Sequence, residues 1–205
     1  VVTAPGFGLP LPTTFYEQDT RAVARALLGQ MLVRRLPSGE ALGGVIVETE
    51  AYLWDDPACH AFRGETPRCR TMFGPPGRAY VYFTYGLHTM LNIATAPEGV
   101  GEAVLIRALE PVLGLDTMQK LRGDRVPAKE LTNGPGKLAQ ALALSHRRDD
   151  GIDVTDPQSA LQIFPRDAGQ LESVATTRIG ISQAVDRPWR YYIRDSHWVS
   201  RREKK

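Results

Sequence analysis

The run Gly43-Gly44-Val45-Ile46-Val47 is apolar enough to be covered on both faces of a strand, yet it continues without a turn into Glu48-Thr49-Glu50-Ala51-Tyr52. Side chains alternate along a strand, so Glu48, Glu50 and Tyr52 share one face, with successive Cα atoms ~6.6 Å apart. Two readings fit this stretch equally. A buried strand delivers carboxylates to one surface, or the strand simply emerges into solvent at Glu48. A second run, Ala103-Val104-Leu105-Ile106-Arg107-Ala108-Leu109, carries an arginine among apolar residues. A buried unpaired charge costs several kcal/mol, so Arg107 needs a partner, and Glu50 is the obvious one.

Met31 to Leu36 and Leu42 to Tyr52 read as strands joined by Pro37-Ser38-Gly39-Glu40, and Val100 to Leu109 as another. Leu161 to Pro165, Thr177 to Ile181 and Arg190 to Arg194 add short strands. Asp19 or Thr20 caps a helix with Val23, Ala26, Leu27 and Met31 at helical spacing and Gly29 marking its end. Leu115 to Leu121 and Ala128 to Leu131 read as short helices. Asn133-Gly134-Pro135-Gly136 opens another, with Lys137 in a first turn suited to phosphate. The glycine spacing there is not that of a nucleotide-binding P-loop. Asp55-Asp56-Pro57 is a good helix start, and a short helix from Trp54 would bring His60 back beside the strand just left. Val1 to Pro12, rich in Pro and Gly, reads as an irregular arm. With 205 residues and 42% hydrophobic content the chain can bury one sizeable core, and no long linker divides it. The expected architecture is α+β: a single domain over 1–205, mainly antiparallel sheet with peripheral helices and a protruding β-hairpin.

That hairpin is Ala79 to Asn92. β-Branched and aromatic residues flank Tyr85-Gly86, which marks the tip. A tip bearing Tyr85 and Leu87 either offers an apolar wedge to a partner protein or a base stack, or folds back onto its own core. Before it, Arg63 to Arg78 is a Gly/Pro-rich loop in which Arg63, Arg68, Arg70 and Arg78 face the single Glu65, and Thr66 adds a hydroxyl. Such a loop suits a nucleic-acid backbone and equally suits internal ion pairs with Glu48 and Glu50. The formal net charge is only +2, but its distribution is uneven. Residues 1–62 hold four basic and seven acidic side chains, and residues 178–205 hold eight and three. The basic tail 199–205 is either part of a basic face or a solvated end that frays. Two cysteines, Cys59 and Cys69, give no disulfide framework and fit a reducing compartment. With His60 they make a poor zinc set, since residues 59 and 60 seldom share a metal and no Cys-x-x-Cys pair exists. No metal or cofactor is expected, nor a membrane span or signal peptide, which points to the cytoplasm.

Val47-Glu-Thr-Glu-Ala-Tyr52, Ala58-Cys-His60, Thr66-Pro-Arg68, Met72-Phe-Gly-Pro-Pro-Gly77, Tyr80-Val-Tyr-Phe-Thr-Tyr-Gly86, Leu91-Asn92, Arg107-Ala-Leu-Glu-Pro111 and Asn133-Gly-Pro-Gly-Lys-Leu138 occur in one order along the chain. In these motifs the sequence resembles the alkyladenine (3-methyladenine) DNA glycosylase family in its compact bacterial form, from about the first helix to Trp198. The resemblance implies a monomeric, monofunctional base-excision enzyme without a lyase step. It would act on double-stranded DNA containing a damaged purine of the 3-methyladenine, 7-methylguanine, hypoxanthine and ethenoadenine class. By the same resemblance Glu50 matches the general base that activates water, and Arg107 the residue holding that water and a neighbouring phosphate. Tyr52, Ala58, His60, Tyr82 and Asn92 match the base pocket, with Asn92 disfavouring the guanine 2-amino group. Tyr85 matches the intercalating residue, with Leu87 and Leu105 grouped with it at the minor groove. Thr66, Arg68, Arg70, Lys137 and Ile179 match DNA-backbone contacts, the Ile179 carbonyl being a further contact for the water. Cys69 stands where the family often has Asn, and Glu65 weakens the positive balance of that loop. Glu48 reads as a supporting carboxylate.

Two other classes compete. A damage-binding module would share the hairpin and basic loops but has no need of Glu50 in an apolar strand. A metal-dependent hydrolase would use the acidic and histidine residues and would be sensitive to a chelator.

Overall fold

The computed structural model describes residues 7–84, 88–167, 169 and 171–201. Its strands are β1 (Met31–Arg35), β2 (Ala41–Tyr52), β3 (Ala79–Thr84), β4 (His88–Ala94), β5 (Ala103–Leu113), β6 (Leu161–Phe164), β7 (Ser173–Thr176) and β8 (Arg190–Ile193). The α-helices are α1 (Thr13–Tyr16), α2 (Thr20–Ala26), α3 (Leu115–Arg122), α4 (Pro135–Ala141) and α5 (His146–Asp149).

All strand pairs are antiparallel, in the order β3-β4-β5-β2-β1-β6, with β8 joining β2 and β7 joining β8. β2 is the axis of this α+β sheet. One edge pairs with β5 along most of its length, while the other pairs first with β1 over Ala41 to Val45 and then with β8 over Glu48 to Glu50. Being paired on both edges and covered on both faces, β2 is buried from Leu42 to Ala51, both glutamates included. The strand therefore does not emerge into solvent at Glu48.

Alternation sorts the side chains between two faces. Leu32, Ile46, Val81, Leu91, Val104 and Ile106 share the main core with Val23 and Leu27 of the α2 region and Leu138 of α4. Tyr80 and Ala103 belong instead to a smaller cluster with Cys59, Cys69 and Met72, against which Tyr52 and Tyr82 pack. Helices thus cover one face, and the other carries an aromatic layer.

Several sequence expectations need correction. No helix forms between Trp54 and His60. The chain makes a series of turns there, because the Asp56 carboxylate takes the Ala58 N–H at 3.1 Å and the Asp56 carbonyl takes the Cys59 N–H at 2.8 Å. Thr177 to Ile181 is not a strand. The strand is β7, ending at Thr176, beyond which Arg178 turns inward and the Ile179 N–H is taken by a side chain. β5 continues past the expected end at Leu109 to Leu113. In α2 the expected inward residue Ala26 is exposed, Ala24 is buried in its place, and Met31 already belongs to β1. The tail does not fray at its start: Val199 is buried and Ser200 is hydrogen-bonded to Glu48. The hairpin is present as β3 and β4, with Thr84 opposite His88, and its tip with Tyr85 and Leu87 lies outside the described residues.

β2 begins with two glycines because neighbouring backbones close on it. A Cβ at Gly44 would fall on the Glu110 carbonyl, well inside van der Waals contact, at a register irregularity between β2 and β5. Overpacking of this kind costs about 1–3 kcal/mol. Gly44→Ala is expected to lower the urea midpoint by that free energy divided by an unchanged m-value, whereas Gly39→Ala, where a Cβ meets nothing within 4 Å, strains only the turn.

Candidate active site

The centre of the site is a group of charges with almost no access to water. Glu48 and Glu50 are each 0% exposed and Arg107 6%. Arg107 Nε donates to Glu48 Oε1 at 3.0 Å and Nη1 to Glu50 Oε2 at 3.2 Å, so one guanidinium bridges both carboxylates. Glu48 also accepts from Arg190 Nε at 2.6 Å and, at the tail, from the Ser200 N–H at 2.6 Å and hydroxyl at 2.8 Å. An ionised carboxylate offers about four lone-pair sites. Glu48 meets four donors, three of them on Oε1 and one, the Ser200 N–H, on Oε2.

Glu50 has different neighbours. The Tyr52 hydroxyl donates to Oε2 at 2.8 Å and the Ile179 N–H to Oε1 at 2.7 Å, which with Arg107 makes three donors and leaves about one acceptor site. Burial, followed by the charge of Glu50, pushes the Tyr52 phenol well above its ordinary range, so it remains a donor. Arg107 stays protonated: desolvation opposes its charge, and the two carboxylates more than offset that.

Tyr52, Arg107 and Ile179 also line a cavity of about 460 Å³. Its aromatic wall is Tyr80 and Tyr82, stacked with centroids 5.2 Å apart, and His60 meets the Tyr82 ring edge-on at 4.6 Å. His60 Nδ1 lies 2.9 Å from the Tyr80 hydroxyl. Desolvation, then the nearby Arg68, lowers the His60 pKa from 6.5, which leaves the imidazole neutral at pH 7. Asn92 donates to the Tyr80 carbonyl at 3.2 Å, which fixes its side chain at the cavity wall. The arrangement is a slot with aromatic walls, able to take a flat ring, and a water-poor carboxylate behind one end.

The protein family model for methylpurine-DNA glycosylase matches residues 14–197. The chain belongs to the methylpurine-DNA glycosylase family. It is 50% identical over 200 residues to a protein of Methanoculleus marisnigri, covering 95% of this chain and all of that one. It is 47% identical over 192 residues to one of Carboxydothermus hydrogenoformans, covering 94% and 99%, and 46% identical over 196 residues to one of Agrobacterium fabrum, covering 96% and 95%. All three bear the name "Putative 3-methyladenine DNA glycosylase".

In this methylpurine-DNA glycosylase family member the fold gathers Glu50, Tyr52, Ala58, His60, Tyr82, Asn92, Arg107 and Ile179 around one cavity. Leu105, grouped from the sequence with the hairpin tip, is instead 5% exposed in the cavity wall, in register with Asn92 and Glu50. Arg68 lies over the ring of the cavity residue Tyr82 at 5.6 Å. Arg70 pairs with Glu65 at 3.1 Å, and Thr66 contacts the Cys69 sulfur, so neither engages Glu48 or Glu50. Lys137 bonds Asn133 and Glu130 at the start of α4. Cys59 and Cys69 are buried free thiols, and burial pushes Cys59 up to about 12. No helix among the described residues is long and apolar enough to cross a membrane.

Four participants escaped the sequence reading: Asp56, Arg178, Arg190 and Ser200. Arg190 had a signal, because it precedes Tyr191-Tyr192-Ile193 much as Arg107 sits among apolar neighbours. Ser200 had none.

Removing one member of a buried ion network strands the others, at about 3–5 kcal/mol. Glu48→Ala leaves Arg107 and Arg190 without their shared carboxylate, and its thermal midpoint is expected to drop by about 2–4 °C per kcal/mol lost. A midpoint within 2 °C of wild type would contradict this role. For His60, a folded pKa below the unfolded value means that the folded state takes up its proton less readily. Its stabilising contribution is therefore complete above about pH 6.5 and falls as the pH drops below it. An NMR titration should place the His60 midpoint below 6.5, and Arg68→Ala should move it up part of the way, leaving the effect of burial.

Proposed function

We propose that the protein is a monofunctional DNA glycosylase that draws a damaged purine from duplex DNA into the aromatic cavity. There it hydrolyses the N-glycosidic bond with a water activated by Glu50 and leaves an abasic site. The reading rests on one observation above all: the three donors to Glu50 are all walls of the cavity, whereas of the residues that donate to Glu48 only Arg107 is, and Oε1 of Glu50 takes a single donor.

In this mechanism the purine lies against Tyr82 and His60, with Tyr52 on the side of Glu50. Stacking tolerates many ring systems, which favours a class of substrates: 3-methyladenine, 7-methylguanine, hypoxanthine and ethenoadenine. Asn92 sets the depth of the pocket and disfavours an added 2-amino group. Tyr85 fills the space left in the duplex and offsets part of the few kcal/mol of unstacking. Water reaches Glu50 through the wall formed by Tyr52, Arg107 and Ile179. Glu50 takes its proton as the oxygen attacks the anomeric carbon, while Arg107 holds the water and a DNA phosphate. A positioned base contributes about 10²–10⁴-fold. The carboxylate and the phosphates also stabilise the oxocarbenium-like centre in a medium where charge is poorly screened. Because Glu48 is held by Arg190 and Ser200, neither of which lines the cavity, the site holds one working carboxylate and no second acid. That favours bases that leave readily, above all alkylpurines carrying positive charge. No lysine is among the residues given a role at the bond, so a strand-cleaving step is not part of the scheme. Arg68, Arg70, Thr66 and Lys137 serve the DNA backbone.

Single-turnover base release from a duplex with one hypoxanthine, or from alkylated DNA, tests the reading. Glu50→Gln should lower the rate by about 10²–10⁴-fold at matched DNA occupancy while binding persists. Unchanged release would remove Glu50 as the base, and release by neither protein from any substrate would favour a damage-binding module.

A further inference from the structure

Arg178 and Asp56 are both 0% exposed in their side chains and form a two-point ion pair, with Nη2 3.0 Å from Oδ1 and Nη1 against Oδ2. The same guanidinium donates to the Ala51 carbonyl at 3.0 Å and lies over the rings of Tyr52 at 4.7 Å and Trp189 at 5.2 Å. We infer that this pair is a positioning unit for the proposed hydrolysis, holding the Ile179 N–H on Glu50 and the Tyr52 ring beside the cavity. The inference rests on the glycosylase reading and adds two residues to it.

Three observations carry it. First, each contact of the pair adjoins a group of the site in sequence or space. Ala51 lies between Glu50 and Tyr52, Asp56 takes the N–H of the cavity residue Ala58, and Arg178 directly precedes Ile179. Second, residues 177–189 contain no helix or strand, so no sheet pairing fixes where the Ile179 N–H points. The side chain of the preceding residue does. Third, a buried ion pair is a weak device for stability, since desolvation of both charges offsets most of their attraction and apolar replacements are often neutral or better. Arg178 nonetheless stays charged, because the hydrogen bonds and charge of Asp56 outweigh desolvation, the largest single influence on it.

A displacement of about 1 Å at a reacting group can cost about 10²-fold in rate. If Ile179 moved off Glu50, the carboxylate would lose one of its three donors and part of its orientation. Ground-state binding of DNA, spread over the hairpin and basic loop, would be left alone. A pair acting only on folding would show its effect in the thermal midpoint instead.

The test uses the full chain, a duplex with one hypoxanthine and excess enzyme, with DNA affinity and thermal midpoint measured in parallel. Asp56→Asn and Arg178→Gln are the mild variants, and Asp56→Leu with Arg178→Met replaces the pair by apolar side chains of similar size. The expected result is a plateau rate lowered by about 10–10²-fold in each folded variant, with affinity within about threefold and the double polar variant no slower than the slower single one. Arg178→Lys, which keeps charge without the planar fork, should recover part of the loss. The inference is overturned if the apolar pair excises at the wild-type rate, or if the rate losses of Asp56→Asn and Arg178→Gln follow the folded fraction or the affinity. A wild-type protein that releases no base from this duplex or from alkylated DNA overturns the glycosylase reading, and this inference with it.

Discussion

The bridge from Arg107 to Glu48 and Glu50 is the interaction on which the rest of the structure depends. One guanidinium cannot balance two carboxylates removed from water. Arg190, brought in by β8, supplies the second positive charge. That requirement accounts for the topology around β2, whose edge opposite β5 is given to β1 only as far as Val45 and then to β8 over Glu48 to Glu50. It also accounts for the return of the chain end, because Ser200 adds two donors to Glu48, one of them on Oε2, which neither arginine reaches. Each partner removes a cost that the others would otherwise create, so the network is cooperative and poorly tolerant of partial loss.

From one strand the two carboxylates acquire opposite characters. Their spacing on β2 is the same two-residue step that makes them look alike in the sequence. What separates them is the segment lying over each: β8 and the tail over Glu48, the residues after β7 and the cavity over Glu50. The donors therefore differ in place: those on Glu50 all line the cavity, and of those on Glu48 only Arg107 does. In the mechanism proposed above, Glu48 is a structural anion and Glu50 the base.

Much of this was legible in the residues. An arginine inside Ala103 to Leu109 demanded a carboxylate, and the period-two placement of Glu48, Glu50 and Tyr52 named the candidates. The alternation of Tyr80, Val81 and Tyr82 announced a strand with one aromatic face, and that face became the cavity wall. Trp54 to His60 and Thr177 to Ile181 were misread for a common reason. Asp55-Asp56-Pro57 carries a genuine helix-start signal, and Thr177 to Ile181 has the β-branched content of a strand. The first gives way to the turn bonds that Asp56 accepts from Ala58 and Cys59 while its carboxylate is also held by Arg178, and the second to the bond from the Ile179 N–H to Glu50, partners more than a hundred positions apart. Local pattern holds no information about such partners.

That pattern of success and failure has a structural meaning. The carboxylates and Arg107 stand on central paired strands, at a register irregularity where Arg107 has no residue opposite it on β2, and the regular pairs on either side hold the strands against a slip that would turn the charges to the other face. The turn at Asp56 to His60 and the segment from Arg178 to Ile181 stand opposite, held chiefly by side chains. A slot built in this way has one wall that cannot move without unfolding the sheet and one that can adjust by small shifts of two tethered turns. If the site acts as proposed, rigid placement would suit the carboxylate, whose reach to a water must be constant, and adjustable placement the wall that meets purines of different outline. On that reading the tethers would set how far the wall yields before the Ile179 N–H leaves Glu50, and tolerance of ring shape and control of the base would be two aspects of one contact.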